Sequence, residues 1–169
     1  MSAAGRGTLY ILIGKLASGK STYARSLPAC FTLSADRWMR ALFPEGCGPL
    51  HEQYSERVFA LLREDARALT ALGQNVILDT GMWTRANRAQ AMEAFAGIDT
   101  RWIWLDPPEA ERRRRIARRN AAVLAREAPS DYLVDDGLFE KCEQLFEPPT
   151  AEELPGLLII RSENTNELE

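Results

Sequence analysis

The sequence predicts an α/β fold of three layers, a five-stranded parallel sheet with helices on both faces. Three observations predict it. Short apolar runs alternate with longer segments of helical period, the pattern of strand–helix–strand units. The runs are rich in Ile, Leu, Val and Trp, as strands covered on both sides require. Residues capable of chemistry follow these runs directly: Gly14 after the first, Ser34 and Asp36 after the second, Asp79 after the third and Asp106 after the fourth. That is the carboxyl edge of the sheet, where parallel sheets bind ligands.

The elements follow in order. Residues 1–7 read as a frayed tail. Leu9–Ile13 is the first strand. Residues 20–27 form the first helix, which Pro28 stops. Residues 30–33 are a short second strand. Ser34 caps a helix over Ala35–Leu42, ended by Phe43 and Pro44. Gly46, Gly48 and Pro49 make residues 45–50 a loop. Residues 52–72 are a long amphipathic helix: Val58, Leu61, Leu62, Ala66, Leu69 and Leu72 recur at three- and four-residue spacing. Gly73 stands where a C′ glycine belongs. Residues 76–78 are a buried strand leading to Asp79 and Thr80. Thr84 caps a helix reaching about residue 96, with Met92 and Phe95 on its inner face. Residues 102–105 form the next strand, closed by Asp106-Pro107-Pro108. Residues 109–126 read as one arginine-rich helix, and residues 135–146 as another that Glu147-Pro148-Pro149 stops. Residues 157–160 are the last strand, and a polar tail starts at Glu163.

The 169 residues suggest one domain spanning the whole chain. A net charge of −3 excludes a polyanion binder that works by overall charge. Lysine occurs only at positions 15, 20 and 141, so two of three lysines lie in one short glycine-rich stretch. Cys30, Cys47 and Cys142 form no Cys-x-x-Cys pair, and His51 is the sole histidine, which argues against a zinc site or a disulfide framework. The apolar stretch ending at Ile13 is far too short to span a bilayer, so a cytoplasmic protein is expected.

The strongest motif is Gly14-Lys15-Leu16-Ala17-Ser18-Gly19-Lys20-Ser21-Thr22, between an apolar strand and a helix. It is the phosphate-binding loop in its expected setting. Glycines let successive N–H groups turn inward on an anion, and the following helix adds its positive end. In such a loop Lys20 reaches the β and γ phosphates, and the Ser21 hydroxyl takes a place on Mg²⁺. ATP and Mg²⁺ are therefore the expected cofactors. Asp79, at a strand end, supports Mg²⁺ or caps the next turn. Asp36 takes the proton from an attacking hydroxyl or is a helix N-terminal charge. Arg115 and Arg119 share a helix face, with Arg112 approximately on it, and act on the transferring phosphoryl group or lie in solvent. No aromatic residues interleave these arginines, which weakens a nucleic-acid surface. Arg85 and Arg88 hold an anionic acceptor or decorate the surface. The four tryptophans read as packing, with Trp83 the exception because it lies at the active edge. His51 reads as structural or surface. Residues 161–164 are a place for adenine contacts.

With these residues in view, the chain resembles the small P-loop kinase family that includes polynucleotide kinase, gluconate kinase, chloramphenicol phosphotransferase and zeta-type toxins. It is nearest to the AAA-type ATP-binding proteins within it. The carriers are the Gly14–Thr22 loop, Leu33-Ser34-Ala35-Asp36-Arg37-Trp38, Val76-Ile77-Leu78-Asp79-Thr80 with Arg88, Leu105-Asp106-Pro107-Pro108-Glu109 with Arg115, Arg119 and Asn120, and Phe146-Glu147-Pro148-Pro149. The resemblance implies a P-loop NTPase fold with a lid over ATP at about residues 109–130. It also implies that Asp36 activates the acceptor, Asp79 is the strand-end acid, and Arg115 and Arg119 are lid arginines. The chain departs from many relatives at Met39, where they place an arginine three residues after the aspartate; Arg37 and Arg40 flank it here.

The expectation is an ATP- and Mg²⁺-dependent phosphotransferase acting on a hydroxyl of a small molecule such as a sugar, nucleoside or antibiotic. The substrate-binding set is Asp36, Arg37, Arg40, Asp79, Arg85 and Arg88. A polynucleotide 5′-hydroxyl kinase is the alternative within the class. A nucleotide-binding regulatory or toxin-like protein is the alternative of another class.

Overall fold

The computed structural model describes residues 5–126 and 133–161. Five parallel strands, β1 (Leu9–Ile13), β2 (Cys30–Ser34), β3 (Asn75–Asp79), β4 (Thr100–Leu105) and β5 (Leu158–Ile160), form one sheet in the order β2-β3-β1-β4-β5. The strands outrun their apolar residues. Thr100 and Arg101 join β4 because they pair with Leu9 and Tyr10, and Asn75 joins β3 opposite Cys30. Backbone pairing, not side-chain hydrophobicity, sets these ends.

The helices are α1 (Lys20–Ser26), α2 (Ala35–Leu42), α3 (His51–Ala71), α4 (Arg85–Ala94), α5 (Glu109–Leu124) and α6 (Asp136–Leu145). A single 3₁₀ turn at Gly48–Leu50 lies inside the expected loop and leads into α3. The caps follow the sequence. Ser34 accepts from the Arg37 amide, and Asp135 accepts from the Leu138 amide at 2.7 Å. Thr84 and Asn87 satisfy each other's backbone in a capping box. At the end of α3, Gly73 has φ of 81°, Gln74 N–H reaches Leu69 O at 3.0 Å and Gly73 N–H reaches Thr70 O at 3.1 Å. These two bonds are the Schellman closure that a C′ glycine makes possible.

Alternation along the strands sends side chains to two cores. Leu9, Ile11, Ile13, Val76, Leu78, Trp102 and Trp104 face α3 and α4 through Val58, Leu62, Ala66, Ala91 and Phe95. Leu12, Ile77, Ile103 and Leu105 face α1 through Tyr23 and Ala24. Three layers result, as the sequence predicts. A smaller third core joins Ile116 of α5, Val134 just ahead of α6, and Phe139 of α6, and packs on Leu16 and Ala17 of the glycine-rich loop. Asn120 fixes this unit by exchanging two hydrogen bonds with the Val134 backbone, at 2.8 and 3.0 Å. Among the described residues no helix is long and apolar enough to cross a membrane.

Candidate active site

The site starts where β1 ends. Gly14 is pressed against its surroundings: a Cβ there would lie 2.4 Å from Ser18 Oγ and 2.9 Å from the Leu105 carbonyl. Ala17 and Gly19 take positive φ of 57° and 98°. Left-handed residues at these positions turn the loop into a concave nest of backbone amides. Gly19 is also the N-cap of α1 and supplies no side-chain acceptor, and the first turn of α1 carries no acidic residue. Its first-turn amides thus meet no acidic side chain of their own helix and could hold an anion.

Lys20 lies folded into this loop. Its Nζ donates to Gly14 O at 2.9 Å and Lys15 O at 3.2 Å. Burial lowers the pKa of its ammonium, while the charges of Asp79 and Asp36 act in the opposite direction. Asp79 is nearly buried, and burial raises its pKa; Lys20 opposes that shift, Asp36 adds to it and Arg40 opposes it. Lys20, Asp79, Asp36 and Arg40 therefore form one electrostatic group, although they come from three separate segments.

An open cavity of about 1910 Å³ runs across this edge of the sheet. One end is lined by the loop from Leu16 to Thr22 and by Glu111, Arg115, Arg118 and Arg119 of α5. The other is lined by Asp36, Arg37, Met39 and Arg40 of α2, the α3 face from His51 to Arg63, and Met82 and Trp83. Two hydroxyls on the lining, Ser18 Oγ and Thr80 Oγ1, are buried and make no hydrogen bond among the described residues. Buried polar atoms left this way cost about 1–3 kcal/mol each, which a ligand atom relieves.

Arg115 reaches from α5 to the loop, donating Nη1 to Ala17 O at 3.3 Å and Nε to Glu111 at 2.7 Å. Helix α5 thus touches the loop through Arg115, one of the two arginines expected to act there. Residues 127–130 of that expected lid lie outside the described residues, as do residues 162–164 of the expected adenine segment. Arg161 sits 3.5 Å from Asp106, so that segment begins beside the carboxyl end of β4.

Arg88, Arg85 and Arg112 make ion pairs away from the loop, and the Lys15 side chain turns away from it. Arg88 is completely buried, bidentate on Glu153 at 2.7 and 3.1 Å, and donates to the carbonyls of Met82 and Glu147. It cannot hold an acceptor; it ties the loop after β3 to the segment after α6. Arg85 lies off the cavity and sits 3.7 Å from the same Glu153. Arg112 is buried and bidentate on Glu143 at 2.6 and 3.0 Å, and Lys15 Nζ shares that carboxylate at 2.7 Å. Burial alone would raise the Glu143 pKa, but the hydrogen bonds from Arg112 and Lys15 prevail and hold it below the usual range. Lys15 thus contributes backbone to the loop and spends its side chain on α6. Trp83, by contrast, lines the cavity as its position suggests.

His51 and Cys47, to which the sequence assigns no role, also line the cavity. The wall formed by Ser55, Phe59 and Arg63 has no counterpart among the sequence expectations. Their four-residue spacing puts them on one flank of α3, beside the buried stripe of Val58, Leu62 and Ala66. A mixed polar and apolar flank next to a buried stripe is the signal that could have found them.

Residues 9–149 match the AAA domain family. The chain belongs to that family. No curated protein matches this AAA domain. Among solved structures it is similar to a presumed kinase from Chloroflexus aurantiacus, with a TM-score of 0.70 and 19% identity, over 98% of this chain and 90% of that one. Chaetomium thermophilum Kti12 in complex with ADP-AlF3 gives a TM-score of 0.67 at 17% identity, over 90% and 88%. A chain of the Pnkp1/Rnl/Hen1 complex gives 0.57 at 25% identity. That match covers 66% of this AAA domain and only 39% of the Pnkp1/Rnl/Hen1 chain. The fold, a five-stranded parallel sheet with helices on both faces, is the one these kinase structures share.

The loop's first glycine offers a direct check. Gly14→Ala is expected to weaken ATP binding at least about tenfold, because the backbone of Leu105 cannot yield and Ser18 must move. Calorimetric titration with ATP reads this. An unchanged affinity would mean that the loop is not held in the shape described.

Proposed function

We propose that this AAA domain is an ATP- and Mg²⁺-dependent phosphotransferase that moves the γ-phosphate to a hydroxyl of a small molecule. One observation carries the reading: the phosphate loop and Asp36 line the same cavity. Single ligand pockets span about 300–1,000 Å³. A cavity of about 1910 Å³ has room for a nucleotide and a second reactant side by side.

In this reading the loop amides and Lys20 hold the β and γ phosphates of the substrate. Asp36 accepts the proton of the acceptor hydroxyl as its oxygen bonds to phosphorus. The bond to the bridging oxygen breaks, and its electron pair leaves with ADP. Arg115 and Arg119 lie over the phosphoryl group, where charge spreads onto equatorial oxygens. Glu111 orients Arg115 through its 2.7 Å hydrogen bond. The core of Ile116, Val134 and Phe139 keeps α5 against the loop and helps exclude water.

The donor set fits a hard cation. The Asp79 carboxylate accepts no hydrogen bond among the described residues, and the Ser21 hydroxyl on α1 is exposed. These two oxygens would hold Mg²⁺, which when bound neutralises phosphate charge.

Arg37 and Arg40 line the acceptor end beside Met39. Acidic Asp36, Glu45 and Glu52 line the same cavity, which favours a small acceptor over a polyanion. The polynucleotide 5′-hydroxyl reading draws its support from the similarity to the Pnkp1/Rnl/Hen1 chain.

The test is acceptor-stimulated ADP release with ATP and Mg²⁺. The panel holds sugars, nucleosides, aminoglycoside and phenicol antibiotics, and 5′-hydroxyl oligonucleotides. One class is expected to stimulate release, and Asp36→Asn to lower kcat on the order of 10²-fold while ATP affinity stays within about threefold. Undiminished transfer by Asp36→Asn would remove Asp36 from the base role. Stimulation by oligonucleotides alone, falling steeply with salt, would move the acceptor to a nucleic-acid end.

A further inference from the structure

We propose that the acceptor end of the cavity holds an anion-binding subsite at Arg63, and that the acceptor is a small hydroxy compound carrying one carboxylate, sulfonate or phosphate group on an apolar body. The inference rests on the phosphotransferase reading for the word acceptor, but the subsite stands on its own observations.

Arg63 is half-buried on α3 and lines the cavity. It makes no hydrogen bond or ion pair with any described residue, unlike Arg40, Arg115 and Arg119. Its own helix cannot supply one: the positions three and four residues away are Phe59, Ala60, Ala66 and Arg67. A guanidinium brings five donors and stays charged, so partial burial without a partner carries a desolvation cost. Arg112 and Arg88, the buried arginines, each take a bidentate carboxylate. Arg63 faces open cavity instead.

The neighbouring helix supplies a second donor. Arg67 donates to the carbonyl of Ala94, which fixes the register of α3 against α4. One turn back along each helix brings Arg63 level with Gln90, which also lines the cavity. Both helices run from the carboxyl edge of the sheet, so stepping back on both moves toward the site. Arg63 and Gln90 both line the cavity, a charged fork and an amide. The same lining carries apolar side chains, Met39, Phe43, Phe59, Met82 and Trp83. An occupant matched to this lining has a hydroxyl at Asp36, an apolar body and a single anionic group at Arg63. Multiple charges fit poorly, since Glu45 and Glu52 lie on the same cavity.

The test uses hydroxy acids paired with their neutral amides, each pair differing only in the anionic group. The full chain is loaded with a non-hydrolysable ATP analogue. Binding is followed through the Arg63 Hε resonance, assigned by its loss in Arg63→Met. ADP release with ATP and Mg²⁺ is measured in parallel. Hydroxy acids, and not their amides, are expected to shift the Arg63 signal. Arg63→Met is expected to raise KM for the best acid roughly 10- to 100-fold, with kcat within about threefold, and Arg63→Lys to recover part of it. Amides binding as well as acids, an unmoved Arg63 signal, or an unchanged KM in Arg63→Met would overturn the subsite. Acids that move the signal without releasing ADP would leave the subsite standing and remove the phosphotransferase reading. Acids that release ADP equally in Arg63→Met would do the reverse.

Discussion

Replacing Lys20 with methionine is expected to lower ATP turnover on the order of 10³-fold while leaving the free protein at least as stable as the wild type. The two halves have one cause. Lys20 is wrapped by the carbonyls of Gly14 and Lys15, and burial works against its charge. Its pKa is lowered on folding, so between the lowered value and the ordinary 10.5 the unfolded chain binds more protons. The stability of the wild type relative to Lys20→Met therefore rises with pH through that window. At neutral pH the ammonium is at its least favourable, and an anion in the loop reverses the cost. Thermal unfolding with and without ATP checks each part. ATP should raise the Tm of the wild type and not of Lys20→Met, and the Tm advantage of the variant should shrink as pH climbs toward 10.5. A free Lys20→Met protein much less stable than the wild type would mean that the lysine is a structural strut.

Arg88→Ala is expected to cost about 3–5 kcal/mol of stability. The guanidinium is fully buried and satisfies both oxygens of Glu153 and the carbonyls of Met82 and Glu147. Truncation takes both hydrogen bonds from the half-buried Glu153 carboxylate and leaves those carbonyls without their donor. Lysine in its place recovers only part, since it cannot present the fork. The hydrogen bond from Arg88 leads the causes that hold the Glu153 carboxyl below its ordinary 4.5. That contribution is present above the ordinary value and fades as pH falls through the lowered one, so Arg88→Ala should also flatten the acid end of the stability curve. Urea midpoints measured from pH 3 to 7 read both effects. A loss under about 1 kcal/mol would show that water replaces the clamp.

The contrast between these two residues explains what the sequence can and cannot reveal. The shape of the loop around Lys20 is legible because it is encoded locally by Gly14, Ala17 and Gly19. The helix ends at Ser34, Thr84 and Gly73 are legible for the same reason. The role of Arg88 is not, because its partner, Glu153, lies 65 residues on, and no local pattern announces that pair. Arg112 and Lys15 converge on Glu143 across long separations too. A run of arginines therefore divides by depth: Arg112 inward to α6, Arg115 to the loop, Arg114 to solvent. The α3 flank of Ser55, Phe59 and Arg63 stays hidden because a cavity wall obeys the same helical period as a solvent-facing flank.

The most direct measurement follows the γ-phosphate itself. The chain is incubated with Mg²⁺, ATP labelled in that position and the pooled acceptor panel, and the label is traced between inorganic phosphate and organic phosphate esters. Transfer to an ester of one compound, lost in Lys20→Met and strongly reduced in Asp36→Asn, is the outcome expected of a phosphotransferase. Label recovered only as inorganic phosphate, at a rate no compound changes and Asp36→Asn does not alter, would contradict it and describe a nucleotide-binding protein whose turnover serves its own conformation.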